Sequence, residues 1–135
     1  MQKIYDPLRK KEVALTPEEG VRQWCIRDVL HIGAAVPLHM MMSEVEFKRG
    51  AKVYRADVLV YDRDTKPLVA VECKREDVII DKSVIEQVMR YNAVLNPRFI
   101  LLTNGRVVLL FRREGDIFKP IDRLPKYEEM LAFCP

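Results

Sequence analysis

Three residues in two neighbouring segments carry the types and spacing that chemistry needs: Asp57, Glu72 and Lys74. If 53 to 61 is a strand, alternation places Arg55, Asp57 and Leu59 on one face and Ala56, Val58 and Val60 on the other. Glu72 and Lys74 are two apart and share a face at the end of Pro67-Leu68-Val69-Ala70-Val71-Glu72-Cys73-Lys74. A carboxylate directly after an apolar run is unfavourable to bury unless a partner or a metal answers its charge. Two carboxylates on adjacent antiparallel strands, with a lysine beside them, offer a hard cation oxygen ligands and leave positions open for water. The competing reading is a cross-strand ion pair, Asp57 with Lys74 or Glu72 with Arg55, at a sheet edge.

Other candidates are weaker. His31 and His39 have no metal-ligand spacing with each other or with a cysteine. Ser43, Ser83 and the cysteines lack the surroundings of an activated nucleophile. Met40-Met41-Met42 reads as strand or core filler. Lys48, Arg49, Lys52 and Arg55 cluster around one hairpin, and Arg75, Lys82 and Arg90 follow Glu72-Cys73-Lys74. These cations either line a phosphate-binding groove or are scattered solvated charge.

The elements that must position these residues can be read in outline. Thr16-Pro17-Glu18-Glu19 has an N-cap, a proline at the first helical position and the glutamate of a capping box. Val21, Trp24, Cys25, Val29 and Ile32 continue at helical spacing to Gly33, predicting a helix over 17 to 32. The stretch 38 to 47 leans to strand, 48 to 51 reads as a turn, 53 to 61 as a strand and 62 to 67 as a polar hairpin loop. The apolar run 68 to 73 predicts a strand covered on both faces. Asp81 as N-cap and Pro97 as stop bound a helix over 82 to 96. A buried strand over 99 to 103 follows, and Asn104-Gly105 predicts a two-residue turn with both positions at positive φ, leading into a strand over 107 to 111. The tail predicts a short helix over 126 to 133. The order α-β-β-β-α-β-β implies an α/β domain with a mixed central β-sheet flanked by helices.

The chain has 135 residues, 49% hydrophobic and 32% charged, which fits one globular domain spanning 1 to 135. No apolar stretch approaches the roughly 20 residues of a membrane helix, and no signal peptide is visible. Three cysteines, Cys25, Cys73 and Cys134, with no C-x-x-C, argue against a disulfide framework or zinc finger, so a reducing cytoplasm is expected. The net charge of +3 permits contact with a polyanion without demanding it.

Read together and in order, four patterns stand out: Thr16-Pro17-Glu18-Glu19-Gly20-Val21-Arg22-Gln23, Tyr54-Arg55-Ala56-Asp57-Val58-Leu59-Val60-Tyr61, Leu68-Val69-Ala70-Val71-Glu72-Cys73-Lys74, and Gln87-Val88-Met89-Arg90-Tyr91. Their order and spacing, continued by Phe99 to Gly105, resemble the PD-(D/E)xK nuclease superfamily. More closely they resemble the N-terminal domain of type I restriction enzyme R subunits and its small stand-alone relatives. The resemblance implies a restriction-endonuclease-like fold and a Mg²⁺-dependent (or Mn²⁺-dependent) nuclease acting on nucleic acid, with DNA favoured. It implies that Asp57 and Glu72 hold the metal with the Cys73 backbone carbonyl, and that Lys74 positions or activates the attacking water. Gln87 and Tyr91 match a Q-x-x-x-Y that contacts nucleic acid, although an i,i+4 surface pair is their plain alternative. Glu19 matches an accessory acidic residue, although the capping box also explains it. Lys52, Arg55, Arg75 and Arg90 are the expected nucleic-acid contacts.

Two departures matter. Ala56 stands where the family name has proline. No G-x-x-x-x-G-K-[ST] loop is present, so ATP-driven translocation is not expected of this chain and separate motor or specificity proteins are implied. A homodimer is expected, because cutting both strands at one place needs two sites. Its candidate interface is Ile117, Phe118, Leu124, Met130, Leu131 and Phe133, unless this tail folds back as a covering element. The rival to an enzyme is a non-catalytic module that keeps the nuclease fold to bind nucleic acid or a protein.

Overall fold

The computed structural model describes residues 1–133, so Cys134 lies outside the described residues. A two-stranded hairpin comes first, β1 (Lys3–Asp6) paired antiparallel with β2 (Lys11–Ala14). Helix α1 (Pro17–Trp24) runs directly into a π-helical segment, Cys25–Gly33. Then come β3 (Met41–Arg49), β4 (Lys52–Tyr61), β5 (Pro67–Cys73), α2 (Lys82–Leu95), β6 (Phe99–Thr103), β7 (Val108–Glu114), β8 (Ile117–Ile121) and α3 (Tyr127–Ala132). The six main strands lie in sequence order from β3 to β8. Every neighbouring pair is antiparallel except β5–β6, which α2 connects by a crossover.

The expected elements are present, with additions. The first hairpin and β8 were not expected, and the order becomes β-β-α-β-β-β-α-β-β-β-α. The expected α-helix over 17 to 32 gives way to π geometry after Trp24, shown by the bond from Ala34 N to Val29 O at 3.0 Å. The wider turn brings Cys25, Ile26 and Leu30 into one fully buried stripe and swings Ile32 out, 70% exposed. The turn at Asn104-Gly105 also differs. Only Gly105 has positive φ, and four residues separate the strands. Asn104 Oδ1 accepts from the N–H groups of Arg106 and Val107, both at 2.9 Å, so an Asx turn replaces the expected pair of left-handed residues.

The sheet carries a layer on each face. The α1–π segment and α3 pack on Val58, Val60, Val69, Val71, Phe99 and Leu101. Helix α2 covers Ile100, Leu102 and Phe111 on the other face, and its Leu95 reaches Ala56, Leu59 and Ala70. β5 and β6 sit between both layers, which is why both read as unbroken apolar runs.

The tail is largely a covering element, so Phe118, Leu124, Met130 and Leu131 of the expected interface pack within the chain, while Ile117 and Phe133 stay exposed. Met130 and Tyr127 are buried, Tyr127 Oη donates to Tyr61 O at 2.9 Å, and Leu124 and Leu131 pack on the core. Phe118 packs under α2's side of the sheet. Among the described residues no helix is long and apolar enough to cross a membrane.

Candidate active site

The alternation expected for β4 breaks at Asp57. Ala56 packs with Leu59 and Ala70, whereas Val58 and Val60 pack on the opposite face. The partner strand shows the matching irregularity: the pairing skips Glu44 and Asp57 between Ser43–Val58 and Val45–Ala56, and Glu44 has φ +52°. A phase slip therefore separates the hairpin tip from its base, and Asp57 stands at the slip. Its Oδ2 accepts from Cys73 N–H at 2.7 Å, which turns the carboxylate toward the end of β5. Glu72 and Lys74 lie there, with Lys74 Nζ 3.4 Å from Glu72 Oε1 and its backbone N–H donating to Thr103 O at 2.8 Å.

Asp57, Glu72 and Lys74 line one pocket of about 710 Å³, together with Glu18, Glu19, Arg22, Gln87 and Tyr91. The structure thus brings together all three candidate catalytic residues and all three accessory ones. Burial pushes the Asp57 carboxyl above its ordinary range, against the Cys73 hydrogen bond and the charge of Arg22. Burial, and then the Asp57 charge, push Glu72 up to about 7 despite Lys74. Glu72 is therefore about half protonated at neutral pH. Neither anticipated cross-strand ion pair appears among the described contacts: Lys74 pairs with Glu72, and Arg55 with Glu44 at 3.9 Å.

The opposite wall is an ion network that sequence reading missed. Arg9, from the turn between β1 and β2, bonds Asp6 through Nε and donates from Nη2 to Glu19 Oε1 at 2.6 Å. Arg22 donates from Nη1 to Glu44 Oε1 at 3.0 Å, with Nη2 3.9 Å from Asp57 Oδ1. Glu19 Oε2 accepts from Gln23 Nε2 at 3.1 Å. The capping-box reading of Glu19 is thus half right. Thr16 Oγ1 accepts from Glu19 N–H at 3.2 Å, but the Glu19 carboxylate turns into the pocket instead of back to Thr16 N–H, which donates to Ala14 O. Burial alone would raise the Asp6 carboxyl, yet hydrogen bonds from Arg9 and Leu8 N–H hold it below its ordinary range. The Arg22 hydrogen bond does the same for Glu44.

Of the expected basic contacts, only Arg55 lines the pocket. Arg75 pairs with Asp77 at 3.0 Å and opens onto a separate hollow beside Pro17 and Arg106. Arg90 is exposed on α2 outside the lining, and Lys52 lies at the hairpin tip with Nζ 6.0 Å from the Tyr54 ring centre. The Cys73 side chain is buried, and contact with Cys25 followed by burial pushes its thiol well above the ordinary range; Cys73 is not among the residues lining the pocket.

A family described as type I restriction enzyme R protein N terminus matches residues 17–125. No curated protein matches. Among solved structures, the chain is similar to a fragment assigned as an HsdR subunit of a type I restriction enzyme from Vibrio vulnificus YJ016, at 25% identity and TM-score 0.49, over 68% of this chain and 20% of that one. It is also similar to a DrdV–DNA complex, at 19% identity and TM-score 0.45, over 68% of this chain and 9% of that one. The chain therefore spans at most about a fifth of the length of these structures. The match takes in every pocket residue from Glu18 to Tyr91 but not Arg9, Val13, Ala14 and Thr16, and the chain belongs to the family of the type I restriction enzyme R protein N terminus.

Proposed function

We infer that the pocket is the active site of a divalent-metal-dependent nuclease that hydrolyses phosphodiester bonds, with DNA as the favoured substrate given the restriction-enzyme family. One observation carries this reading. Two carboxylates are held in a buried pocket with so little compensation that Glu72 titrates near 7, and a lysine ammonium stands 3.4 Å from it. Strongly perturbed acids in a cleft mark functional sites.

The donor set fits a hard cation: Asp57 Oδ2 is fixed by Cys73 N–H, its Oδ1 stands 3.9 Å from Arg22 with no hydrogen bond, and Glu72 would gain positive charge beyond that of Lys74. The Cys73 carbonyl supplies a third protein oxygen. A bound Mg²⁺ or Mn²⁺ would supply Lewis-acid polarisation of the phosphate and stabilisation of its developing charge. The Lys74 ammonium orients the incoming water and faces the developing negative charge; only as the neutral amine would it take the water's proton. Arg55 and Tyr91 at the pocket wall hold the nucleic acid in register.

A non-catalytic module that keeps this fold is the second reading, favoured by one observation: among the described residues no three His, Cys, Asp or Glu side chains form a metal-holding group. A cleavage assay with Mg²⁺ or Mn²⁺ on plasmid and single-stranded DNA decides between them. Wild-type protein is expected to cut, and Lys74→Ala to cut at least roughly 100-fold more slowly. Mg²⁺ is also expected to raise the melting temperature of wild type and not of Asp57→Asn. Absence of both effects sinks the nuclease and leaves the binding module. Separate motor and specificity proteins complete the activity in this reading. Two-fold pairing of the chain supplies a second site, which light scattering at micromolar concentration checks.

A further inference from the structure

Beyond the pocket, the β3–β4 hairpin continues as a surface whose chemistry points to a specific kind of ligand. Phe47 and Tyr54 face each other in the register, their rings stacked with centres 5.5 Å apart. Tyr91, on α2 at the pocket rim and 37% exposed, meets Tyr54 edge-on at 4.7 Å. The next pair outward on the same hairpin face is Arg49 opposite Lys52, both exposed. The surface is therefore ordered: pocket, Tyr91, the Phe47–Tyr54 pair, then two cations at the tip. It lies on the α2 side of the phase slip at Asp57, where Ala56 and Leu59 also point.

We propose that this face is a binding track for single-stranded nucleic acid, with unpaired bases stacking on Tyr91 and Tyr54 and the phosphates beyond them meeting Arg49 and Lys52. Aromatic faces beside a cationic path are how proteins hold single strands, because every base has a π-face and only an unpaired strand exposes it. A duplex keeps those faces covered, so the aromatic part of the track has nothing to offer it. The proposal rests on the nuclease reading, which it sharpens: the strand leaving the active site is unpaired, as in a frayed or unwound end.

The test is equilibrium binding of a short fluorescein-labelled oligothymidylate in EDTA, with a blunt duplex of equal length as comparison. Wild type is expected to bind the single strand more tightly than the duplex. Tyr54→Leu is expected to weaken single-strand binding about ten-fold, with Tyr54→Phe within about two-fold of wild type. Arg49→Ala and Lys52→Ala are each expected to lower the slope of log affinity against log salt by about 0.7. Thermal melting of each variant confirms that it is folded. Equal binding by Tyr54→Leu, tighter binding of the duplex, or no binding of either probe overturns the track. Tyr54-dependent binding without metal-dependent cleavage keeps the track and removes the nuclease, whereas cleavage with no Tyr54 effect does the reverse.

Discussion

The two walls of the pocket handle charge in opposite ways. On one wall Asp6, Glu19 and Glu44 share the guanidinium groups of Arg9 and Arg22, and the Asp6 and Glu44 carboxyls lie below their ordinary range. On the other, Glu72 has the Lys74 ammonium at 3.4 Å and Asp57 has Arg22 no nearer than 3.9 Å, and both carboxyls are pushed upward. Both walls are partly or fully buried, so burial alone does not separate them. The difference is how closely the cations approach. Where the fold needs carboxylates only as scaffold, it pairs them completely. Where cations stand farther off, the carboxyls are pushed upward, the condition under which the proposed metal ion would bind.

The largest expected effect comes from breaking the paired wall. Arg22→Met removes the buried guanidinium that Glu19, Glu44 and Asp57 share, leaving Glu19 and Glu44 to Arg9, and urea denaturation is expected to show a loss of about 3 kcal/mol. A loss below about 1 kcal/mol would mean that the network is no better compensated than the opposite wall.

The unpaired wall should respond with the opposite sign. Glu72 titrates at about 7 in the fold instead of at its ordinary 4.5, so the metal-free native state holds an extra proton between those values. Its stability therefore falls as pH rises from the lower value to the higher. Glu72→Gln removes that dependence. Without metal, the variant is expected to match wild type below pH 4.5 and to exceed it by up to about 3 kcal/mol above pH 7, as followed by urea midpoints across pH. A variant less stable than wild type at pH 8 would make Glu72 a structural ion-pair partner.

The smallest effect calibrates both walls. Arg63 and Glu128 form an ion pair with each side chain more than half exposed. Arg63→Ala is expected to change stability by less than about 1 kcal/mol in the same assay. A larger change would show that the contrast between the walls owes less to burial and compensation than argued here.

The grouping of Asp57, Glu72 and Lys74 was legible in sequence because its signals are local. A strand ending in Glu72-Cys73-Lys74, a hairpin carrying Asp57, and caps at Thr16 and Asp81 each follow from neighbours in the chain. The paired wall was not legible. Arg9, Arg22 and Glu44 meet across ten to thirty-odd residues and follow no period; Glu44 read as one more polar residue on an alternating strand. The hairpin that carries Arg9 was invisible because Lys3–Asp6 and Lys11–Ala14 are only four residues each, half of them polar and half exposed. The π segment was hidden because Val29 and Ile32 satisfy α spacing equally well, and only packing selects Ile26 and Leu30. The slip at Ala56 leaves no sequence mark that we can identify.

The five-residue loop between β4 and β5 bears on how fast the chain folds. Asp62 Oδ1 accepts from the N–H groups of Asp64 and Lys66, a self-contained clasp that needs no distant partner. A loop this short closes with little entropy loss, so Asp57 and Glu72 meet as soon as the hairpin forms. Arg9 and Arg22 must be delivered later from outside it. The carboxylate clash thus belongs to the climb toward the transition state, and the arginine network to the descent from it. In stopped-flow chevrons above pH 7, Glu72→Gln is expected to raise the folding rate and barely alter unfolding, while Arg22→Met chiefly speeds unfolding. The opposite partition would place hairpin closure after docking of the arginines. On that ordering, the repulsion between Asp57 and Glu72 would act as a brake on the protein's own assembly, released by a proton.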